Sequence, residues 1–372
     1  MRKLSTTALL GAALATVVAT TVPATAATND PLRAQQWGLD QVHAEQAWAS
    51  TTGSGVVVAV VDSGVDLGHP DLAGQLVAGV TTVGCPAHQT TCGNGSWVGM
   101  DGEAQEADTH GTHVSGIIAA AANNGIGVAG VAPDAKIMPI KSLEDGSGAF
   151  EDIAAGITYA ANHGASVINL SIGALPGVQA LTLTGVESTV TDAIADATAK
   201  GVLVVAAAGN ESFPVCDTPA FEPGALCVTS TTREETPSWF SNGAVKPDMD
   251  AVAAPGGAGL LFCEDDIVST VPVGHGSDVC GESNYDYYAG TSMATPHVAG
   301  VAALLFAQGR TRDNVHDALI ETARTPGAGT GVFTSSYGHG IVDAQAATAY
   351  AGAATVQTTT SGHGKKGRGA KR

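Results

Sequence analysis

The run Val-Val-Val-Ala-Val-Val at residues 56–61 is continuously apolar, and it ends at Asp62-Ser63-Gly64. Such a β-branched run without polar alternation predicts a strand that is buried on both faces. Strands of this kind belong to parallel sheets that helices cover on both sides. The segment therefore favours an α/β fold.

Further apolar runs alternate with helical patterns along the chain. Strands are predicted at residues 137–140, 166–170 and 202–206, and helices at residues 110–122, 149–162, 186–199, 292–307 and 312–322. This alternation predicts a three-layer, doubly wound α/β fold with a mostly parallel central sheet. Functional sites in such sheets form at the carboxyl ends of the strands.

The amino-terminal residues have the pattern of a secretory signal peptide. Residues 1–3 are Met-Arg-Lys, residues 8–22 are apolar or small and uncharged, and Ala24-Thr25-Ala26 fits a cleavage site. A membrane anchor is the alternative, but the run is shorter than the roughly 20 residues of a span. We expect removal of residues 1–26, no membrane anchor and a secreted, extracellular protein.

Composition and charge limit the class of protein and the partners that the remaining chain can have. The 372 residues are 44% hydrophobic and 14% charged, which is typical of a globular protein. Residues 357–372 are polar, Gly-rich and basic, and predict a disordered tail after one domain at residues 27–356. A net charge of −19 disfavours a nucleic-acid partner. We expect a monomer.

Six cysteines form an even set without a Cys-x-x-Cys motif. In a secreted chain this favours disulfides over zinc or thioredoxin-type chemistry. Six cysteines allow 15 pairings. The pairs closest in sequence, each of which would close one surface loop, are Cys85–Cys92, Cys216–Cys227 and Cys263–Cys280.

Three segments contain the residue types of nucleophilic catalysis: Asp62, His110 within Thr-His-Gly-Thr-His, and Ser292 at a predicted helix start. Singly, each has a structural alternative: a turn acid, a metal-binding or surface histidine pair, and a helix cap. Together they match a serine that needs a base and a base that needs an acid. A helix start also places backbone N–H groups where an oxyanion would develop.

The chain resembles the subtilisin-like serine peptidases over about residues 29–350, and the thermitase-like branch most. The motifs are Val-Val-Asp-Ser-Gly-Val (60–65), His-Gly-Thr-His-Val-Ser-Gly (110–116), Ala-Ala-Ala-Gly-Asn (206–210), Val-Ala-Ala-Pro-Gly (252–256), Gly-Thr-Ser-Met-Ala-Thr-Pro-His-Val-Ala-Gly (290–300) and Gly-Ile-Val-Asp-Ala (340–344). The order Asp, His, Ser is the one known from subtilisin itself. The resemblance implies a secreted serine endopeptidase that acts on proteins and peptides through an acyl-enzyme.

The resemblance also implies roles for single residues. Asp62 orients His110, Ser292 attacks the carbonyl, and His113 is structural. Asn210 and the backbone N–H of Ser292 form the oxyanion hole.

We expect substrate to bind by strand addition. Hydrogen bonds then form to the substrate backbone and not to its side chains, which favours broad specificity. The segment implied to pair with the substrate is Ser171, Ile172 and Gly173. The residues implied to line the pocket for the residue before the cut are Ala207, Ala208 and Gly209. Their small side chains leave room for a large apolar group, whereas Glu211 at the rim would attract a basic one.

A structural calcium ion is the implied cofactor, and no catalytic cofactor is expected. Oxygen ligands of the kind that calcium prefers come from Asp30, Asp71 and Asn124, with backbone oxygens near Ala121, Ile126 and Val128. As isolated residues, these would be surface turns.

Two other classes of function are weaker alternatives. An esterase of the α/β-hydrolase type would need Gly-x-Ser-x-Gly, but Ala294 stands at the second glycine. A secreted binding protein derived from a peptidase would be expected to lack one of Asp62, His110, Asn210 or Ser292. No Gly-rich phosphate loop follows the first strand, which disfavours nucleotide binding.

Overall fold

Seven parallel strands form the central sheet of the computed structural model, which describes residues 28–84, 109–144, 146–174, 177–185, 188–260 and 262–352. The strands are β1 (Val57–Asp62), β2 (Val80–Thr81), β3 (Lys136–Lys141), β4 (Val167–Leu170), β5 (Leu203–Ala207), β6 (Ala225–Thr231) and β7 (Ala251–Pro255). Their order is β2-β3-β1-β4-β5-β6-β7, with every neighbouring pair parallel. The chain starts mid-sheet and winds outward in both directions, which confirms the predicted doubly wound sheet.

Different helices cover the two faces of this sheet. Val58 and Val60 of β1 pack in one core cluster, and Ala59 and Val61 in another, because successive strand residues point to opposite faces. The first cluster contains residues of α3 (His110–Ala119) and α7 (Thr291–Ala307). The second contains residues of α4 (Phe150–Asn162) and α6 (Thr189–Ala199). The three-layer prediction is confirmed.

Shorter elements complete the fold. The remaining helices are α1 (Trp37–Gln41), α2 (Ala44–Ala47), α5 (Gln179–Leu183), α8 (Arg312–Thr322) and α9 (Ala344–Ala349). Two antiparallel pairs lie outside the main sheet: β8 (Ile267–Thr270) with β9 (Tyr285–Tyr288), and β10 (Arg324–Thr325) with β11 (Gly329–Thr330). None of the helices described is both long and apolar enough to span a bilayer.

The predicted helix at residues 110–122 is three residues shorter in the structure and ends at Ala119. Ala120 has extended backbone angles, and its carbonyl accepts a hydrogen bond from Gly130 N at 2.9 Å. The chain leaves the helix at this point because a tertiary hydrogen bond satisfies the terminal carbonyl. The helix predicted at 312–322 is found at those residues.

Two of the three predicted disulfides are present. Cys216–Cys227 and Cys263–Cys280 are bonded, with Cα–Cα distances of 6.6 and 5.6 Å. Cys85 and Cys92 lie outside the described residues, as do the predicted signal peptide and tail.

Candidate active site

The candidate catalytic residues lie at one edge of the sheet. Asp62 ends β1, Ser171 comes directly after β4, and Asn210 lies three residues after β5. Because parallel strands end at the same edge, these side chains collect there. Helix α3 begins at this edge with His110, and Ser292 is the second residue of α7.

Asp62 and His110 form the central polar pair. The carboxylate Oδ1 of Asp62 lies 2.8 Å from Nδ1 of His110 and also accepts the Ser63 N–H at 2.7 Å. The Asp62 side chain is fully buried, whereas the His110 side chain is 27% exposed. A carboxylate at Nδ1 keeps the proton on that nitrogen, so that Nε2 is the unprotonated nitrogen that can act as a base.

Ser292 is held by a reciprocal pair of hydrogen bonds with Ser171. Its hydroxyl donates to the Ser171 carbonyl at 3.1 Å, and the Ser171 hydroxyl donates to the Ser292 carbonyl at 2.8 Å. The second bond has a cause in the helix. Pro296 lies four residues after Ser292 and has no N–H to offer the Ser292 carbonyl. Ser171 supplies the donor that the helix lacks.

Asn169 supports Ser171 from the core and was missed in the sequence. Its side chain is fully buried in β4, and Nδ2 donates to the Ser171 hydroxyl at 2.9 Å. The signal was available, because Asn169 is a polar residue inside an apolar strand and a buried amide needs partners.

Asn210 is oriented by Thr291, a second residue that sequence reasoning missed. Thr291 donates to Asn210 Oδ1 through its N–H at 2.9 Å and its hydroxyl at 3.0 Å. With the oxygen occupied, the amide N–H₂ group is left to donate elsewhere. A Cβ built on Gly290 would lie 3.7 Å from Asn210 Nδ2 and 3.6 Å from Ser292 N. The Asn210 amide group and the Ser292 N–H therefore lie close to one another beside Gly290, as the two donors of an oxyanion hole must.

A cleft of about 710 Å³ contains the reacting groups. His110 and Ser292 line it together, so the base and the nucleophile face the same space. The predicted substrate-pairing segment lines it too, as Ser171, Ile172 and Gly173. Farther along, its walls are apolar, with Leu143, Phe150, Ile153, Val178 and Val190.

The predicted pocket residues have a different position. Ala207, Ala208 and Gly209 are buried and are not among the described residues that line the cleft. At Gly209, the adjoining space is filled by the side chains of Asn242, Asp217 and Glu211. A Cβ on Gly209 would be 2.3 Å from Asp217 Oδ2 and 2.8 Å from Glu211 Oε2. Glu211 does line the cleft, as the alternative expectation for a basic side chain requires.

The predicted calcium ligands form one network at the amino-terminal arm. Asp30 accepts hydrogen bonds from the backbone N–H groups of Asn123 and Asn124 at 2.9 and 3.1 Å. Asp71 accepts from Asn124 Nδ2 at 2.7 Å and from Val128 N at 2.9 Å. The backbone N–H of Ala121 donates to the Asp71 carbonyl, and that of Ile126 donates to the Asn124 side chain.

The charge of this network suits a divalent cation. Asp30 and Asp71 are 4% and 0% exposed. Burial raises the pKa of Asp71 to about 6, and the nearby Asp30 also raises it. Among the described residues, no Lys or Arg pairs with either carboxylate, and no group of three His, Cys, Asp or Glu side chains could hold a metal. Two buried carboxylates without a basic partner among the described residues are the ligand type that calcium prefers.

A parallel three-layer α/β fold with an Asp–His pair and a serine at one cleft defines a class of serine hydrolases. The family model described as the subtilase family matches residues 53–340. The chain belongs to the subtilase family, and it is a serine-type endopeptidase.

Similar proteins include thermitase from Thermoactinomyces vulgaris, 40% identical over 81% of this chain and 94% of that protein. Subtilisin BL from Lederbergia lenta is 38% identical over 84% of this chain and 98% of that protein. Among solved structures, a protease from Pseudoalteromonas arctica matches with a TM-score of 0.68 and 33% identity, covering 87% of this chain and 99% of that chain.

Proposed function

We propose that the protein is a secreted endopeptidase that hydrolyses proteins through an acyl-enzyme on Ser292. The observation that carries this proposal is the 2.8 Å hydrogen bond between Asp62 and His110 beside a cleft that Ser292 also lines. This pair supplies a base with a fixed tautomer next to a hydroxyl.

In the first step, the Ser292 hydroxyl turns from the Ser171 carbonyl to Nε2 of His110. His110 takes the proton as Ser292 Oγ bonds to the substrate carbonyl carbon. Asp62 stabilises the imidazolium that forms. The carbonyl oxygen becomes an oxyanion, which accepts hydrogen bonds from Asn210 Nδ2 and Ser292 N.

In the second step, the intermediate collapses and the C–N bond breaks. His110 gives its proton to the leaving amine, and the acyl group stays on Ser292. Water then enters, and His110 deprotonates it for attack on the ester. The carboxylic acid product leaves, and Ser292 regains its proton.

Substrate binding is proposed to use backbone pairing along Ser171, Ile172 and Gly173. Among the described residues, the backbone N–H and C=O of Gly173 have no partner, so they are available to an extended peptide. Strand addition of this kind requires an unfolded segment and reads few side chains. It supports broad specificity at most substrate positions.

Calcium is proposed as a structural ion held by side-chain oxygens of Asp30, Asp71 and Asn124, with carbonyl oxygens near Ala121, Ile126 and Val128. When bound, it would compensate the two buried carboxylates and take no part in the reaction. Because Asp30 belongs to the amino-terminal arm and Asp71 to the body, the ion would tie the arm down. Removal of calcium is expected to lower the unfolding temperature and speed self-cleavage.

Secretion is proposed from the amino-terminal pattern at residues 1–26, supported by two disulfides in the described part of the chain. The peptidase domain is proposed at residues 27–356, followed by a tail at 357–372. The substrates would then be proteins and peptides outside the cell.

The test compares the parent chain with Ser292→Ala, both expressed with the signal peptide in a secreting host. Each secreted product is mixed with unfolded casein, with calcium or with a chelator, and fragments are identified by mass spectrometry. We expect cleavage by the parent alone, with kcat about 10⁶-fold lower in the variant, the size known for subtilisin. Equal inactivity of two folded products would refute the peptidase proposal.

A further inference from the structure

Two carboxyl groups lie together beside the reaction centre, and we call this pair, Glu211 and Asp217, the acidic floor. Glu211 follows Asn210 in sequence and lines the cleft. Asp217 is 0% exposed and lies beneath it. Both groups converge on Gly209, as the 2.8 and 2.3 Å distances from its Cβ position show.

Within the described chain, no cation compensates the negative charge of the acidic floor. Asp217 Oδ1 accepts from Gln179 Nε2 at 2.6 Å, but its Oδ2 is buried without a hydrogen-bond partner among the described residues. From the part of the chain that the structure describes, Glu211 Oε2 accepts hydrogen bonds from two amide donors alone, Asn210 N at 2.8 Å and Asn242 Nδ2 at 2.9 Å. No Lys or Arg in the described chain forms an ion pair with either carboxyl group.

The electrostatic consequence is visible in Asp217. Its pKa is raised to about 7, first by burial and then by the neighbouring Glu211. A buried carboxylate next to a second one is unfavourable, so Asp217 holds a proton more tightly unless a positive charge lies beside the pair. The geometry alone, an unpartnered buried oxygen beside an exposed acid in a cleft, already indicates a site for a cationic group.

We place the side chain of the substrate residue before the cut beside the acidic floor. Its carbonyl would lie between Ser292 and Asn210, and Glu211, which follows Asn210, lines the same cleft as Ser292. A Cβ on Gly173, a cleft residue, would lie 3.8 Å from Asp217 Oδ2. Thr218, which follows Asp217, also lines the cleft.

We propose that the acidic floor makes this pocket selective for Lys or Arg at the position before the scissile bond. Glu211 meets the cation at the cleft surface, and Asp217 compensates it from beneath. An apolar side chain would cover the two carboxyl groups without pairing them, which disfavours it. The inference rests on the proposed function and narrows its breadth at one substrate position.

The first experiment measures kcat/KM for peptides that differ only before the cut, with Arg, Lys, citrulline, Leu or Phe. Citrulline matches Arg in size and shape but carries no charge, so the ratio of Arg to citrulline reports charge alone. We expect a ratio of at least tenfold, with Lys also preferred over Leu and Phe.

Two results would overturn the inference, and they are distinguishable. A ratio near one, with Ser292-dependent cleavage after Leu or Phe, would refute the acidic pocket and leave the peptidase intact. Absence of Ser292-dependent cleavage of every peptide, together with casein, would refute both proposals.

The second experiment assigns the charge to its residues. Asp217→Asn keeps an oxygen for Gln179 and gains an N–H donor toward Glu211, so it removes charge with little change in shape. Glu211→Gln alters an exposed side chain and does not depend on how the buried site tolerates substitution. We expect each variant to lower the Arg-to-citrulline ratio severalfold or more.

The matched control is Asp196→Asn, which removes one exposed carboxylate from α6. We expect this variant to keep the parent ratio. Retention of the parent ratio in both Asp217→Asn and Glu211→Gln would overturn the inference, as would an equal fall in Asp196→Asn.

Discussion

The two helices that begin at the reaction centre each carry a histidine in their packed interior. At the open end of α3, His110 is 27% exposed and meets the carboxylate of Asp62. Three residues on, His113 is fully buried and its Nε2 faces two backbone carbonyls. In α7, the interior histidine is His297, which bonds to the Met293 carbonyl at 2.8 Å.

His110 at the helix end differs from His113 and His297 in the helix interiors through its surroundings, because all three are histidines. Burial lowers the pKa of His113 to about 3 and that of His297 to about 4. These two side chains stay neutral, fill space in the core and form hydrogen bonds to backbone carbonyls. At the helix end, an acid beside His110 can stabilise its protonated form. Reactivity therefore follows from position along the helix.

The largest expected effect is at the helix end. Asp62→Asn keeps the shape of the side chain but removes the charge that stabilises protonated His110 and favours the wrong tautomer. We expect kcat to fall about 10⁴-fold, the size known for subtilisin and related serine peptidases. Steady-state kinetics on a peptide substrate would measure this effect, with circular dichroism to show an intact fold. A loss below tenfold would contradict the role of Asp62.

A smaller effect is expected at the oxyanion donors. Asn210→Ala removes one donor, and kcat should fall about 10²- to 10³-fold with KM little changed, as known for subtilisin. Thr291→Val removes the hydroxyl that donates to Asn210 Oδ1 and accepts from Gly209 N, and it should lower kcat about tenfold or less. In the double variant, the Thr291 change should have no further effect. Additive losses in kcat would show that Thr291 does not act through Asn210.

The helix ends were predictable from the sequence, and their supporting contacts were not. Asp62 and Asn210 follow apolar strands, and parallel strands put such ends together. The contacts of Ser171 and Thr291 join segments more than 80 residues apart. Strand periodicity carries no information on such pairings. Even so, Asn169 in an apolar strand and Pro296 in a helix are local irregularities that indicated a need for hydrogen-bond partners from elsewhere in the chain.

The sequence also left open the preference of the pocket. Three small residues, Ala207, Ala208 and Gly209, favoured an apolar substrate side chain in this pocket, whereas Glu211 favoured a basic one. What the sequence could not give was the position of Asp217, which the fold brings beneath Glu211. Strands β6 and β7 were not predicted as elements either, because residues 225–231 mix polar and apolar side chains and residues 251–255 are a short run of mostly Ala that ends in Pro.

The interior histidines predict acid sensitivity of the fold. Burial lowers the pKa values of His113 and His297 in the native state. Below about pH 6.5, these histidines therefore bind protons in the unfolded chain but not in the native protein. The stability from His113 and His297 is therefore complete above that pH. It is lost as pH falls toward 4 and 3, at about 1.4 kcal/mol per pH unit for each. Urea unfolding of Ser292→Ala from pH 7 to 5 would measure the slope without self-cleavage.

One variant sharpens this contrast between helix interior and helix end. His297→Met removes one buried titrating group and should reduce the slope of unfolding free energy against pH by about 1.4 kcal/mol per pH unit. The parent slope, measured in Ser292→Ala, is the reference. A slope that His297→Met leaves unchanged would contradict a neutral, buried His297.

The last predicted effect is at the Ser292 carbonyl, which Pro296 leaves without a hydrogen-bond donor from the helix backbone. Ser171→Ala removes its hydroxyl donor and also leaves the buried amide of Asn169 without an acceptor. We expect the free energy of unfolding to fall by about 1–3 kcal/mol, and kcat to fall by about tenfold as Ser292 loses its fixed position. Urea unfolding and peptide kinetics would measure the two effects.

Ser115→Ala is the matched control for this last prediction, because the Ser115 hydroxyl is equally buried but donates to Gly111 O within its own helix. That bond is redundant with the helix ladder, so its loss should change stability by under about 1 kcal/mol and leave kcat unchanged. Ser171→Thr restores a hydroxyl and should recover part of both losses. If Ser171→Ala matched Ser115→Ala in stability and kcat, the Ser292 carbonyl would not need its outside donor. The proline in α7 would then have no consequence for the nucleophile.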